Sequence, residues 1–311
     1  MAKPLSQKSN QLRRMQVGRF APSPTGALHL GSLVAAVASF MIVKHNQGEW
    51  LVRIEDIDRP REVPGAAKQI LLTLEDFGLY WDRPVVYQSQ RNQLYRQAFE
   101  ELISSGFVYH CDCSRKTIEK RNSGVYDQHC RNLNKKLSDN QASRVKFDAD
   151  YQSFKDQLLG ECRFNSAEDK QDFVIKRRDG LFAYQLAVVV DDIEQGVTQV
   201  VRGADILDST PRQNYLYACL NKTPPTYYHL PLVLDIQGNK ESKRFQSPRI
   251  EKARATELLL KAFEHLGQSV ESQMQYATPE ELIKHFLLHW ETKSIVSVTD
   301  SKDQARKVTV N

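Results

Sequence analysis

The chain has 311 residues, of which 41% are hydrophobic and 26% charged, and its formal net charge is +5. This composition is typical of a soluble globular protein with one large or two smaller domains, and the mild positive charge permits an RNA partner without requiring one. No apolar run reaches the roughly 20 residues of a membrane span, and the basic stretch 1–16 lacks the apolar segment of a secretory signal. We therefore expect a cytoplasmic protein with a flexible basic lead-in at 1–16 and no membrane partner.

The first predicted strand covers 17–20. A turn must follow it, because Pro22 and Pro24 fit neither a central strand nor a helix interior. The next stretch, 28–45, is apolar over most of its circumference and predicts a helix buried against a sheet. The start of such a helix presents free N–H groups and the positive end of the helix dipole, which favours phosphate binding.

Polar side chains gather at the edge where the predicted strands end. A second strand over 49–54 is followed by Glu55, and in a parallel sheet Arg19 and Glu55 lie at the same edge. An arginine can bind the carboxylate of an amino acid and a glutamate its ammonium group, although a surface salt bridge would show the same spacing. At the helix start, His29 can donate to a phosphate oxygen and Gly31 leaves room for a flat ring, but a buried helix with a structural histidine would give the same pattern.

Helical patterns continue the alternation. Amphipathic stretches predict helices over 63–77 and 91–105, and each is stopped by a glycine. Alternating strands and helices over the first hundred residues are typical of a doubly wound α/β domain with a parallel sheet.

Three cysteines cluster in a polar region of the chain: Cys111, Cys113 and Cys130. Thiolates at this spacing can share one tetrahedral zinc ion, and Tyr126, His129 or His110 can supply the fourth ligand. The alternative is a set of unlinked thiols in a reducing compartment. Because a site closed by four protein ligands leaves no position for a substrate, we expect it to brace an inserted subdomain.

The second half of the chain predicts further elements, which are a strand over 143–147, a hairpin with its turn at 178–180, a strand over 196–201, a helix from about 210 to 220 and a strand over 227–234. Lys240 and Lys243 follow on a charged loop, where two lysines can stabilise the charge that develops on a phosphate. Two helices are predicted between 250 and 290, and from Glu291 the sequence predicts a frayed tail.

Five segments, in the same order, resemble class I aminoacyl-tRNA synthetases of the glutamyl type. The stretch 22–32 (PSPTGALHLGS) resembles their "HIGH" nucleotide-binding signature, and 240–244 (KESKR) resembles their "KMSKS" signature. The segments around Glu55, Tyr184 and Arg202 resemble three further parts of the family pattern.

The resemblance implies an α/β fold: a Rossmann-type doubly wound parallel sheet with an inserted zinc-containing subdomain and a helical C-terminal segment. The expected divisions after the lead-in are the two halves of the catalytic domain at 17–108 and 171–235, a zinc-binding, acceptor-type insertion at 109–170, and the KMSKS-like loop with the helical segment at 236–311.

The resemblance also implies roles for individual residues. Those implied to hold glutamate are Arg19, Phe20, Ala21, Pro22, Ser23, Glu55, Tyr184 and Arg202. Those implied to bind ATP are His29, Gly31, Ser32 and Lys243, and those implied to act in catalysis are His29, Lys240 and Lys243. Ser32 departs from the final histidine of the generic signature, which removes one donor. The C-x-C…Y-x-x-x-C spacing of one branch of the family favours Tyr126 as the fourth zinc ligand.

That branch is the glutamyl-Q tRNA(Asp) synthetases, and the chain ends where glutamyl-tRNA synthetases continue into an anticodon-reading domain. The resemblance implies that glutamate and ATP, with magnesium, give glutamyl-adenylate and pyrophosphate, and that glutamate then passes to the queuosine base of tRNA(Asp). Two alternatives stay open: a truncated glutamyl-tRNA synthetase that charges a tRNA 3′ end, and a non-catalytic RNA-binding paralogue. We expect one structural zinc ion and a monomer.

Overall fold

The computed structural model of the protein describes residues 15–233, 250–298 and 309–310, except positions 137, 139, 167, 168 and 170. The strands are β1 Val17–Phe20, β2 Glu49–Ile54, β3 Val86–Tyr87, β4 Val108–Cys111, β5 Ala142–Val145, β6 Ser153–Asp156, β7 Gly160–Arg163, β8 Phe173–Lys176, β9 Gln199–Gly203, β10 Thr226–Leu230 and β11 Thr309–Val310. The helices are α1 Leu30–His45, α2 Ala66–Asp76, α3 Asn92–Ser104, α4 Arg115–Asn122, α5 Tyr184–Glu194, α6 Thr210–Cys219, α7 Ala255–His265 and α8 Pro279–His289.

The large sheet has eight strands in the order β11-β7-β6-β10-β9-β1-β2-β3. Its centre is parallel, since β1 pairs in parallel with β2 and β9, and β10 pairs in parallel with β9 and β6. The strand order changes direction at β1, and open parallel sheets bind ligands at their carboxyl edge beside such a point. The predicted α/β fold with a mostly parallel sheet is therefore confirmed.

Helices cover both faces of this sheet. Trp50, Val52 and Ile54 of β2 belong to the buried apolar cluster that contains α1, α7 and α8, whereas Arg53 points to the opposite face and contacts α5. The apolar sequence of α1 explains why this helix is buried on most sides. Gly18 lets α1 lie against β1, because a Cβ at this position would lie 2.2 Å from Val43 Cγ2.

A smaller antiparallel sheet, β4-β5-β8, carries the cysteine-containing region. Its third strand, β8, begins after residue 170, whereas the β6–β7 hairpin, which lies before residue 170, belongs to the large sheet. The insertion expected at 109–170 thus does not correspond to one sheet, because the pairing of β6 with β10 joins segments that are distant in sequence. The domain bounds stay a prediction.

The hairpin predicted around 178–180 is present but short, since Arg177 N–H donates to Leu181 O at 2.7 Å and Ala183 N–H donates to Ile175 O at 2.8 Å. Only a single antiparallel bridge joins Lys176 and Phe182, and helix α5 begins at Tyr184. The valines of this segment favour a strand locally, but its apolar side chains pack against α3 and α6 as a helix, so tertiary packing overrides local propensity.

The C-terminal part also differs from expectation. The two predicted helices are present as α7 and α8, but Thr292–Val298 forms a 3₁₀ helix where a frayed tail was predicted, and positions 299–308 and 311 of that predicted tail lie outside the described residues. Ile295 explains this difference, since its side chain is fully buried in the cluster around α1. In the part of the chain that the structure describes, no helix has the length and apolar character needed to cross a bilayer.

Candidate functional site

A cavity of about 650 Å³ opens at the carboxyl edge of the large sheet, where β1, β2, β9 and β10 end. Its wall includes every predicted glutamate-binding or ATP-binding residue that the structure describes, namely Arg19, Phe20, Ala21, Pro22, Ser23, His29, Gly31, Ser32, Glu55, Tyr184 and Arg202. The predicted Lys240 and Lys243 lie outside the described residues. The fold thus brings together residues from four separate parts of the sequence.

The start of α1 forms one wall of the cavity. His29 is the N-cap of this helix and not a residue of its first turn, and its Nδ1 accepts from the Ser32 backbone N–H at 3.2 Å. In a neutral imidazole the proton then sits on Nε2, which lies 3.0 Å from Ser32 Oγ. Gly31 makes this arrangement possible, because a Cβ there would lie only 3.2 Å from two imidazole atoms. The side chains of His29 and Ser32 and the N-terminus of α1 therefore line the same part of the cavity, an arrangement that favours anion binding.

Arg19 and Glu55 lie at the same sheet edge, as predicted from parallel pairing of their strands. Arg19 is buried, and its Nε donates to Asp192 Oδ1 at 3.1 Å. Below them, Arg53 Nη2 donates to Glu55 Oε1 at 3.3 Å. Burial raises the pKa of Glu55, and the charges of Arg53 and Arg19 partly oppose that rise. A cation bound in the cavity would favour the ionised form of this carboxylate.

Sequence reasoning missed the acids that hold these arginines. Asp192 accepts from Arg19 and also from Arg53 Nη1, the latter at 2.7 Å. The neighbouring Asp191 is fully buried and accepts from Gln88, Arg91 and Tyr95. Two adjacent acids after an apolar run were a signal in the sequence, because buried carboxylates need paired charges and hydrogen bonds.

Arg202, on β9, is only 6% exposed. Its Nε, Nη1 and Nη2 donate to His229 Nε2 at 3.0 Å, Gln213 Oε1 at 2.8 Å and Thr210 Oγ1 at 2.8 Å. These acceptors are neutral, since burial lowers the pKa of His229 to about 4 although its hydrogen bond to Asp156 acts in the opposite direction. Among the carboxylates that the structure describes, none forms an ion pair with Arg202. Its buried charge is therefore available to an anion in the cavity.

Two further side chains complete the wall. Tyr184, the first residue of α5, lines the cavity, and burial raises the pKa of its hydroxyl, which therefore stays protonated. Asp205 also lines the cavity, although sequence reasoning gave it no role. Gly203 makes room for it, since a Cβ there would lie 2.5 Å from Asp205 Oδ1. The cavity thus offers both cationic and anionic groups to a ligand.

The three clustered cysteines form a second candidate site. The Sγ atoms of Cys111, Cys113 and Cys130 all lie within 4.8 Å of one another, and the last two are 3.5 Å apart. Tyr126 Oη lies 3.4 Å from Cys111 Sγ. In a tetrahedral zinc site with Zn–S bonds of about 2.3 Å, ligand sulfurs lie roughly 3.8 Å apart. The three sulfurs therefore fit one zinc ion, and Tyr126 as the fourth ligand stays a prediction.

The two histidines that the sequence left open do not join this cluster. His110 alternates with Cys111 along β4 and makes a hydrogen bond through Nδ1 to Ser143 Oγ at 3.0 Å. His129 is exposed. The position of Tyr126 is fixed by the backbone N–H of Cys130, which donates to its hydroxyl at 3.0 Å.

Comparison with known proteins gives one consistent family. The model described as tRNA synthetases class I (E and Q), catalytic domain, matches residues 16–304. A glutamyl-Q tRNA(Asp) synthetase from Pseudomonas putida is 46% identical over 283 residues, which are 91% of this chain and 95% of the relative. Proteins of the same name from Pectobacterium atrosepticum and Escherichia coli K12 are 47% and 46% identical, over 88% and 90% of this chain and 84% and 90% of the relatives.

Solved structures agree with the fold. A glutamate tRNA ligase from Elizabethkingia meningosepticum, solved in complex with its amino acid, has a TM-score of 0.71 at 25% identity over 87% of this chain. The chain spans 64% of that enzyme. A glutamate-tRNA synthetase from Elizabethkingia anophelis has a TM-score of 0.75 at 22% identity, over 94% of this chain and 69% of that enzyme.

Proposed function

This chain belongs to the class I tRNA synthetases of the glutamate and glutamine type, and within them to the glutamyl-Q tRNA(Asp) synthetases, and we propose that it transfers activated glutamate to the queuosine base of tRNA(Asp). It is a ligase that activates an amino acid for transfer to tRNA. The queuosine acceptor is the finer part of the proposal and is supported by the names of its relatives. We further propose that it acts as a monomer in the cytoplasm, where ATP and tRNA are available.

The observation that carries the proposed amino acid is the environment of Arg202. A buried guanidinium whose acceptors are all neutral suits a ligand that brings a negative charge of its own. The side-chain carboxylate of glutamate has this charge, whereas the amide of glutamine does not. Arg202 therefore selects glutamate by charge in this proposal.

The other end of the amino acid meets a second pair of charges. Arg19 lines the cavity and is held through Nε by Asp192, so its terminal nitrogens can bind the α-carboxylate. Glu55 accepts hydrogen bonds from the ammonium group, and the Tyr184 hydroxyl donates a hydrogen bond to the substrate. The turn residues Phe20, Ala21, Pro22 and Ser23 line the same wall. Two cations and one anion match the two carboxylates and the ammonium group of glutamate.

Adenylate formation needs this amino acid and ATP side by side. A carboxylate oxygen of glutamate attacks the α-phosphorus, the bond to the bridging oxygen breaks, and pyrophosphate leaves. His29, Ser32 and the N-terminus of α1 hold phosphate oxygens, and Gly31 keeps the imidazole close to the backbone. Lys240 and Lys243 act on the developing charge by resemblance to the family, and magnesium accompanies ATP.

Transfer follows from the adenylate. A nucleophilic group of the queuosine base attacks the carbonyl carbon of glutamate, and AMP leaves with the electrons of the broken bond. No covalent enzyme intermediate is needed, because positioning and electrostatic stabilisation lower both barriers. Cys111, Cys113, Cys130 and Tyr126 would hold one zinc ion that stabilises the small sheet and leaves no position for a substrate.

The site of transfer separates this proposal from charging of a tRNA 3′ end. Queuosine-containing tRNA(Asp) is incubated with ATP and labelled glutamate and then cut between the anticodon loop and the acceptor stem. The proposal predicts label in the anticodon fragment. Label on the 3′ fragment would show a truncated glutamyl-tRNA synthetase, and label on neither would favour a non-catalytic RNA-binding protein.

A further inference from the structure

The guanidinium of Arg202 is oriented by a buried chain of hydrogen bonds that begins on another strand. Asp156, the last residue of β6, accepts at Oδ2 from His229 Nδ1 at 2.7 Å. His229, on β10, accepts at Nε2 from Arg202 Nε at 3.0 Å. The side chains of Asp156 and His229 are both fully buried. Neither residue lines the cavity, so any influence on a substrate passes through Arg202.

The direction of this chain depends on where the imidazole carries its proton. Arg202 Nε can only donate, so His229 Nε2 must offer a lone pair. A neutral imidazole then has its proton on Nδ1, where Asp156 accepts it. The opposite tautomer would place two N–H groups against each other at Nε2 and would leave Arg202 Nε without its acceptor.

Backbone hydrogen bonds fix the orientation of the Asp156 carboxylate, which favours the His229 tautomer with its proton on Nδ1. Its Oδ1 accepts from the backbone N–H groups of Leu158 and Leu159, at 2.8 and 3.0 Å. Its Oδ2 accepts from the backbone N–H of His229 at 3.2 Å as well as from the ring. The carboxylate therefore only accepts hydrogen bonds, and these bonds hold it in one orientation.

We propose that Asp156 and His229 are positioning residues that fix the Arg202 guanidinium for the side-chain carboxylate of the substrate, by holding His229 in the Nδ1-protonated tautomer. The inference rests on the proposed role of Arg202 in glutamate binding. It adds two residues that the substrate does not touch, and it makes charge recognition in the cavity depend on a carboxylate on β6, two strands away from Arg202.

The substitution Asp156→Asn tests the tautomer directly. The asparagine oxygen keeps the donors Leu158 and Leu159 by taking the Oδ1 place, where the His229 backbone N–H also lies 3.4 Å away, and this turns its NH₂ group toward His229 Nδ1. Nδ1 must then accept, and the ring proton moves to Nε2, where it can donate to Thr210 Oγ1 at 3.2 Å. Arg202 Nε loses its acceptor, although the shape of the core is unchanged.

The matched control is His229→Gln. A glutamine at this position can donate to Asp156 through its NH₂ group and accept from Arg202 through its oxygen, so the direction of the chain is preserved. A purely structural role for the imidazole predicts the opposite order of effects, because this change removes the ring that packs against Tyr227 at a centroid distance of 5.9 Å.

The experiment uses the full chain with ¹⁵N-labelled histidine. Long-range ¹H–¹⁵N correlation identifies which ring nitrogen of His229 is protonated, and the signal missing from His229→Gln gives the assignment. We expect a protonated Nδ1 in the wild type and a protonated Nε2 in Asp156→Asn. Glutamate-dependent ATP–pyrophosphate exchange should show a KM for glutamate that rises about 10-fold or more in Asp156→Asn, with an unchanged KM for ATP and near-normal values in His229→Gln.

A protonated Nε2 in the wild type would overturn the proposal, and this result needs no variant to fold. Equal KM values for glutamate in Asp156→Asn and the wild type would also overturn it, as would a larger effect of His229→Gln than of Asp156→Asn. Absence of exchange in the wild type would instead contradict the proposed function, while the tautomer measurement would still stand. Near-ultraviolet circular dichroism confirms that both variants keep their packing.

Discussion

Removal of the Arg202 side chain should damage glutamate binding far more than it damages the fold. In Arg202→Ala, the side-chain carboxylate of bound glutamate loses its only proposed cationic partner in a site where Arg202 is 6% exposed. Breaking a buried ion pair costs about 3–5 kcal/mol, which corresponds to a rise of about 10²- to 10⁴-fold in the KM for glutamate. The KM for ATP should stay near its wild-type value, because the proposed ATP-binding residues lie at the start of α1 and not on β9.

The free energy of unfolding should respond differently. Arg202 gives up three hydrogen bonds, each worth about 1.5–3 kcal/mol for a charged donor, but the folded protein no longer has to desolvate a guanidinium, which itself costs several kcal/mol. These contributions offset each other, so we expect urea denaturation to show a loss of about 2 kcal/mol or less. Exchange assays over a range of glutamate concentrations measure the binding effect. A KM for glutamate within about threefold of wild type would refute the role of Arg202 as the carboxylate-binding residue. Such a change corresponds to a smaller binding free energy than the loss of one hydrogen bond to a charged group.

Three further predictions concern other parts of the two sites. Because burial raises the pKa of Glu55 and only the carboxylate can bind an ammonium group, kcat/KM for glutamate should fall as the pH falls through that raised pKa. Glu55→Gln should remove this acid limb from the pH profile and lower kcat/KM above it; an unchanged limb would assign the titration to another group. Gly31→Ala, whose Cβ would lie 3.2 Å from the His29 imidazole, should displace that ring and raise the KM for ATP about 10-fold, or about 1.4 kcal/mol; an unchanged KM would remove His29 from the phosphate site. Metal analysis of purified protein should give about one zinc ion per chain. Cys113→Ser should lose this ion and unfold at a lower temperature. Native protein without metal would instead support the alternative that the three cysteines are unlinked thiols.

The strand–turn–helix at the start of the chain could be predicted because its signals are local. Apolar patterning gives β1 and α1, and two prolines between them require a turn. The sheet edge then follows from parallel pairing, which brings Arg19 and Glu55 into one cavity. Family resemblance added Tyr184 and Arg202, which no local pattern relates to that edge.

The residues that hold Arg19 and Arg202 in place could not be predicted, because their contacts join distant parts of the sequence. Asp156 lies 73 residues from His229, and the sequence places it in a polar segment that we expected to belong to the insertion. Asp192 lies 173 residues from Arg19. Such pairs depend on which strands become neighbours, and hydrophobic periodicity reports only which face of an element is buried.

The measurement that tests the central claim most directly is glutamate transfer to tRNA(Asp) with and without queuosine. The two tRNAs should differ in this base alone, and both assays should contain the same enzyme, ATP, magnesium and labelled glutamate. We expect transfer to the queuosine-containing tRNA and none above background to the other, while exchange of ATP with pyrophosphate proceeds in both. Equal transfer to the two tRNAs would contradict the proposed acceptor.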